Sequence, residues 1–383
     1  MAIMRIHNVE FLGLRSPLPR PASFSWGSAA ARNVGLIRVV TEDGLTGVGE
    51  TSVTFPLWSL EERALTVREG LRPLVVGRDV SDIGAIIIDL QRTLGRLGPL
   101  WSPVAIQATI GAFEVALWDL HAKAAGRPLY ALLRDNGGAG DSDLSPGPIP
   151  LYAVGFTGEA EQIAEQARAA LDAGFAAVKI RAGFGRDRDL SLLDAMAAAI
   201  PDMQRVLVDA NMAWSRQEAR EMIAAIGDYG VGWIEEPVVC TDIEGLAALR
   251  HEARVPIAAG ENAYGREEGV RLVTGGAIDV FMPDIARCGG LTNARAVIAV
   301  ARAHGLPYSP HQYASDVGFV TCLHLCAAEP GALHVLRDIS PWPLRSEVLT
   351  QPVRVEGGTA WIPAGPGLGV ELDAAAIERY RVI

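Results

Sequence analysis

From residue 150 onward the chain repeats one pattern. Short apolar runs at 150–155, 176–180, 205–210, 231–236, 256–261, 277–284, 305–310 and 332–336 return about every 26 residues. Between them lie helix-patterned stretches rich in Ala, Arg and Glu, such as EAEQIAEQARAALDAG and TNARAVIAVARAHG. Eight alternations of strand and helix at this spacing predict an α/β fold whose parallel sheet closes as a barrel.

The first third of the 383 residues reads differently. Residues 3–14 and 34–41 are strand-like, and EDGLTGVGE supplies an Asp-Gly hairpin turn between Val40 and Val48. Helical patterns follow at 60–76, 80–97 and 103–125. The Gly-, Asp-, Ser- and Pro-rich stretch 135–150 is the one compositional break and reads as a linker. It leads into prolines and a strand rather than a helix N-terminus, which argues against a phosphate cradle. The last forty residues return to strand-like segments and are expected to fold back onto the N-terminal region.

Composition narrows the classes. A formal net charge of −11 and the lack of a Lys/Arg cluster exclude a nucleic-acid footprint of the usual kind. No apolar run approaches the roughly 20 residues of a membrane span. Cys240, Cys288, Cys322 and Cys326 form no CxxC pair, as expected of free thiols in a reducing compartment. Arg5, His7 and Glu10 interrupt the N-terminal apolar stretch, so no signal peptide is expected there. The expectation is a soluble, cytoplasmic protein.

In α/β barrels, chemistry sits at the C-terminal ends of the strands. There the third run ends in Asp209, the fourth in Glu235 and Glu236, and the fifth in Glu261. One such carboxylate alone would more often be a solvated loop residue. Three at 209, 235 and 261, 26 residues apart each time, converge on one rim and would repel without a cation. All-oxygen donors favour Mg²⁺ over Zn²⁺. His311 follows the seventh run, and Asp284, one strand away, could hydrogen-bond its imidazole and raise its basicity. Lys179 and Arg181 share one face of the second strand, and Lys179 could meet an anionic substrate group. His7, His121, His251, His304 and His324 read as structural or surface residues.

The segments VKIR (178–181), VDAN (208–211), WIEEP (233–237), AGEN (259–262), MPDIARCGG (282–290) and SPH (309–311) resemble the enolase superfamily. The Asp–His pair narrows the resemblance to its mandelate racemase subgroup. EDGLTGVGE, ALWDLHAKAAGRPLYALL (116–133) and PAGPGLGVELD (363–373) extend it over nearly the whole chain. It implies a modified (β/α)7β barrel over 135–345, an α+β capping domain over 1–134, and a segment 346–383 returning to the cap. It also implies Mg²⁺ held by Asp209, Glu235 and Glu261, with the Asp284–His311 dyad as general base and Lys179 neutralising the substrate carboxylate. Asn211 would point at the substrate or the outer shell of the metal. A small-molecule carboxylate substrate and a homo-oligomer follow from the same resemblance.

This sequence departs from the subgroup at Arg181, where a second lysine commonly serves as a base on the other face. Arginine is a poor base at neutral pH. Two-base racemisation is therefore disfavoured, and Arg181 would suit an anionic or hydroxyl-bearing part of the substrate. The eighth strand lacks the usual Glu; Leu336, Arg337 and Asp338 stand in its region, and Arg337 could replace it. Residues 16–32 and 51–58 read as cap loops over the ligand, with Phe24, Trp26 and Trp58 as candidate contacts and Tyr313 as another. The expected reaction is acid-sugar dehydration, a lyase chemistry. The alternative is an isomerase: FAAVKIRAGFG, EEPVV and ARCGG are similar to segments of sugar-lactone cycloisomerases, with a racemase or epimerase less favoured. A non-catalytic metal-binding barrel is the remaining class.

Overall fold

The computed structural model describes residues 4–383 apart from residue 26 and residues 136–145. Trp26 and most of the 135–150 linker therefore lie outside the described residues.

Strands β1 (Ile6–Phe24), β2 (Gly27–Thr41) and β3 (Thr46–Thr51) form an antiparallel sheet in that order. The expected turn joins β2 to β3, but the segment read as a loop at 16–32 is not one. It continues β1 and β2 as a long ribbon, with Ser16 opposite Arg32 and Phe24 opposite Gly27. The register breaks between Pro17 and Ala22. Prolines 17, 19 and 21 cannot donate to a ladder and are tolerated at such an irregularity. The sheet packs against the helix Pro103–Ala124, whose N-cap Ser102 accepts from Ala105 N. Gly49 is needed there, because a Cβ would collide with the carbonyl of Ala112.

The barrel strands are β4 (Ile149–Val154), β5 (Ala177–Arg181), β6 (Val206–Asp209), β7 (Trp233–Glu235), β8 (Ile257–Ala259), β9 (Val280–Phe281) and β10 (Val335–Asp338). β4 to β9 pair in parallel in chain order. At the seventh position the predicted strand shrinks to Tyr308, bridged to Phe281 on one side and Ala332 on the other. β10 then pairs in parallel with β4 and completes the circuit. In the tail, β11 (Val355–Glu356) and β12 (Thr359–Ala360) form a hairpin that pairs with Ile149 and Pro150 of β4. This part of the tail extends the barrel sheet; the return expected toward the N-terminal region comes later. Arg381 bridges Leu14, and Leu368 N donates to Asp119 at 2.8 Å.

Period-two alternation then fixes which side chains reach the mouth. Tyr152, Ala177, Leu207, Trp233, Ala258, Val280, Met282 and Leu336 form one buried interior cluster. Two residues beyond Ala177, Leu207, Trp233 and Met282 stand Lys179, Asp209, Glu235 and Asp284. The apolar plug thus sets the parity that lifts these four groups to the rim. Val178, Ile180, Val206, Val208 and Ile234 face the other way, into the core beneath the helices.

Buried carboxylates stitch the first third to the barrel by accepting backbone N–H groups. Glu50 accepts from Ser315 N and Gly318 N, both at 2.9 Å, and from the Ser315 hydroxyl at 2.6 Å. Glu114 accepts from Thr292 N at 3.2 Å, whereas Asp119 ties elements within the first third by accepting from Val48 N at 3.1 Å. Burial pushes the Glu50 carboxyl up to about 7 against these hydrogen bonds. Among the described residues no helix is long and apolar enough to cross a membrane.

Candidate active site

The strand ends open into a cavity of about 1670 Å³ whose wall includes Lys179, Arg181, Asp209, Asn211, Glu261 and His311. Asp209, Glu235 and Glu261 are buried, and each offers a carboxylate oxygen within 4.8 Å of the others. The register that aligns Asp209 with both Arg181 and Glu235 brings them together. Glu261 follows Gly260, whose φ of 133° is left-handed and where a Cβ would lie 2.8 Å from the Phe281 ring.

Lys179 sits deeper among these carboxylates than expected. Its Nζ is 3.0 Å from Asp209 Oδ2 and 3.0 Å from Glu235 Oε1. Burial opposes its charge, but Asp209 and Glu235 outweigh that and hold the ammonium well above its ordinary value. Burial and the charge of Asp209 push Glu235 well above the usual carboxylate range. Burial and the charge of Glu261 do the same to Glu236. Burial also works against ionisation of Glu261, but His311 and Arg287 hold its carboxyl well below the usual range.

The base pair expected from the sequence is in contact. His311 Nδ1 is 2.7 Å from Asp284 Oδ2, and the two residues are bridged in parallel. His311 Nε2 is 3.1 Å from Glu261 Oε2. Arg287, which sequence reasoning passed over although it lies in MPDIARCGG, spans the same two acids. Its Nη1 is 2.8 Å from Glu261 Oε1 and its Nε 3.4 Å from Asp284 Oδ2. Glu236, named with Glu235 at the end of the fourth run but given no role there, accepts from Asn262 through Oε2 at 2.7 Å, while its Oε1 is buried without a hydrogen bond. Asn211 N donates to Asp209 Oδ1 at 2.9 Å, leaving Asn211 Oδ1 buried and unpartnered. Asn211, Met212 and Glu236 have φ of 47°, 60° and 43°. Left-handed backbone at non-glycine residues is strain of the kind concentrated at functional sites.

The ligand set fits a hard divalent cation. Asp209, Glu235, Glu236, Glu261 and Asp284 outnumber the fixed cations Lys179 and Arg287, and the donors are all oxygen.

Arg181, Phe24 and Tyr313 meet on the other side of the cavity. Arg181 Nη1 donates to Ser23 O at 2.5 Å and Nη2 to the Tyr313 hydroxyl at 3.4 Å. Its guanidinium lies 4.2 Å from the Phe24 ring centroid and 5.8 Å from that of Tyr313. Phe24 is packed edge-on against Phe55, with centroids 4.9 Å apart. Trp58 is 67% exposed at the cavity wall, so it is not packed into the cap core.

The eighth strand corrects one expectation. Arg337 does not replace the missing Glu: its Nη1 bonds Asp316 Oδ1 at 2.5 Å and its guanidinium stacks on Phe319. Asp338 is claimed by Arg32 at 2.5 Å, whose guanidinium lies between the Tyr313 and Trp342 rings at 3.8 and 3.7 Å. A partner 306 residues away leaves no local signal in the sequence.

A barrel mouth holding converging carboxylates, a lysine and a His–Asp pair defines an enzyme of the enolase superfamily. Residues 9–134 match the mandelate racemase / muconate lactonizing enzyme N-terminal domain, and residues 162–376 match the enolase C-terminal domain-like family. The chain belongs to the mandelate racemase / muconate lactonizing enzyme family. It is 29% identical to D-galactarolactone cycloisomerase of Agrobacterium fabrum, over 91% of each chain. It is 30% identical to D-galactonate dehydratase of Ralstonia nicotianae, over 90% of each. A solved enolase from Bradyrhizobium complexed with magnesium and mandelic acid superimposes with a TM-score of 0.86 at 27% identity, covering 100% of both chains.

Proposed function

We propose that the protein is a Mg²⁺-dependent acid-sugar dehydratase that removes the proton α to a carboxylate and expels the β-hydroxyl, giving a 2-keto-3-deoxy acid. The carrying observation is the His311–Asp284 contact at 2.7 Å, with His311 Nε2 turned toward the carboxylate cluster. Asp209, Glu235 and Glu261 would hold Mg²⁺, which supplies Lewis-acid polarisation of the substrate carboxylate and so acidifies the α-proton.

The chain's own residues account for the remaining steps. Asp284 accepts from His311 Nδ1–H, which fixes the tautomer and leaves Nε2 as the proton acceptor. Lys179 sets a buried positive charge where negative charge grows on the substrate carboxylate. The imidazolium then returns its Nε2 proton to the departing β-hydroxyl, so one base serves both halves of the elimination. Arg287 braces Glu261 against Asp284 and keeps ligand and base in fixed relation.

Arg181, standing where a second base would be needed, disfavours racemisation. Lactone ring opening also needs only one base, and the likeness to D-galactarolactone cycloisomerase supports it as the second reading. Sugar acids and their lactones, incubated with Mg²⁺ in D₂O and followed by NMR, separate the two. A 2-keto-3-deoxy product formed from the open-chain acid with release of water establishes dehydration, because the same elimination in a lactone expels the ring carboxylate and gives such an acid without losing water. Ring opening of a lactone without loss of water overturns it in favour of the isomerase.

A further inference from the structure

Taking from the proposed function only that the substrate is a carboxylic acid, we propose that Arg181 binds a second carboxylate and that the substrate is a dicarboxylic acid. The argument rests on how charge is matched around the cavity. Lys179 is paired with Asp209 and Glu235, Arg287 with Glu261 and Asp284, and Arg32 with Asp338. Arg20 and Arg188 also line the cavity, but they are exposed and solvated. Arg181 is half-buried in the wall and has no ion pair among the described residues. Asp189, another wall residue, accepts from the amides of Gly183 and Phe184 at 2.8 and 3.2 Å instead.

The neutral contacts of Arg181 leave its charge unmatched. The Ser23 carbonyl and the Tyr313 hydroxyl occupy two of its N–H groups, and a guanidinium carries five. The remaining donors stay in the fork geometry that fits a carboxylate. The Phe24 and Tyr313 rings fix the plane of the guanidinium and remove part of its hydration, which makes an incoming anion worth more. A substrate hydroxyl has no need of this charge.

Spacing agrees with an acid group at each end. Lys179 and Arg181 are two residues apart on β5, about 7 Å along the strand. With carbon–carbon bonds of about 1.5 Å, a chain of about five or six carbons spans such a gap. The first carboxylate goes to the metal and Lys179 side, and the second to Arg181.

The test measures binding without turnover. Succinate, glutarate and adipate are titrated calorimetrically into the full-length protein with saturating Mg²⁺, against butyrate, valerate and hexanoate. The best diacid is expected to bind about 10–100-fold more tightly than its monoacid counterpart, the range for a charge-assisted hydrogen bond. Arg181→Gln should bring that ratio close to one, and Arg181→Lys should keep part of it. Equal binding of both series by the unaltered protein overturns the proposal, as does a ratio that survives Arg181→Gln. Should Arg181→Gln not fold, the unaltered protein and Arg181→Lys still decide. A terminal phosphate offers similar charge, so 6-phosphogluconate is compared with glucarate; tighter binding of the phosphate overturns the carboxylate assignment. Dehydration of a monoacid without diacid preference defeats this proposal alone. Arg181-dependent diacid binding without elimination of any sugar acid defeats the dehydratase reading alone.

Discussion

His311 joins two acids of different purpose: its Nδ1 lies 2.7 Å from Asp284 Oδ2 and its Nε2 3.1 Å from Glu261 Oε2. Arg287 spans the same pair from the side, at 2.8 Å from Glu261 and 3.4 Å from Asp284. The nitrogen proposed as proton acceptor and a carboxylate of the proposed metal set are therefore neighbours held by a common brace. A cation that engages Glu261 competes with His311 for that oxygen, and so favours a free Nε2.

His311→Asn keeps a polar side chain of smaller size but removes the proton acceptor. Exchange of the substrate α-proton into D₂O should fall by about 10²–10⁴-fold, the usual worth of a positioned base. Mg²⁺ binding, read by calorimetry, should persist because Asp209, Glu235 and Glu261 are intact. Full turnover in this variant would remove His311 from the role given to it.

Asp284→Asn leaves the ring in place but replaces the acceptor facing Nδ1 with a group that can also donate. The imidazole then loses the partner that fixes its tautomer, and kcat should fall by about 10²–10⁴-fold. KM should change far less, since Asp284 reaches the substrate only through His311. A change confined to KM would mean that Asp284 binds substrate directly.

These roles could be argued before any coordinates because period-two alternation is strict. Once Leu207 and Trp233 are interior, Asp209 and Glu235 must rise to the rim. Residues that act across the fold lack such a rule. Arg32 reaches Asp338 from the far end of the chain, and no local pattern announces the pairing. Three prolines made 16–32 resemble a loop, yet the flanking pairs from Ser16–Arg32 to Phe24–Gly27 hold it as a ribbon. Arg337 misled for a related reason: its position was legible, but its partner Asp316 on the preceding helix was not.

Glu50 predicts a pH dependence of stability. Its carboxyl is raised from 4.5 to about 7 in the folded protein. Between these values the folded state holds a proton that the unfolded state has released. Stability from this group is therefore fully present below about pH 4.5 and is lost as pH rises through about 7. The 2.5-unit gap between those two values corresponds to roughly 3 kcal/mol at most. Glu50→Gln cannot titrate, so the slope of melting temperature against pH between 5 and 7 should be shallower in the variant. Parallel profiles would show that Glu50 does not hold a raised value. At pH 8 the variant escapes the cost of a buried charge but gives up one carboxylate acceptor facing Ser315 N and Gly318 N. The slope is therefore the informative quantity.

Lys179→Met separates the electrostatic work of the lysine from the catalytic role proposed for it. The ammonium is buried and lies 3.0 Å from both Asp209 and Glu235, so its loss leaves those carboxylates facing one another without compensation. Metal-free variant should lose about 3–5 kcal/mol of stability, the cost of breaking a buried pair from one side. Mg²⁺ should return more of that loss than it adds to the unaltered protein, where it must share the same oxygens with the ammonium. Melting curves with excess Mg²⁺ and with chelator, run on both proteins, measure the difference directly. Turnover should remain abolished even in the metal-stabilised variant, because the substrate carboxylate then lacks its buried cation. An equal Mg²⁺ shift in the two proteins would show that ammonium and metal do not share Asp209 and Glu235, and would place the cation elsewhere in the cavity.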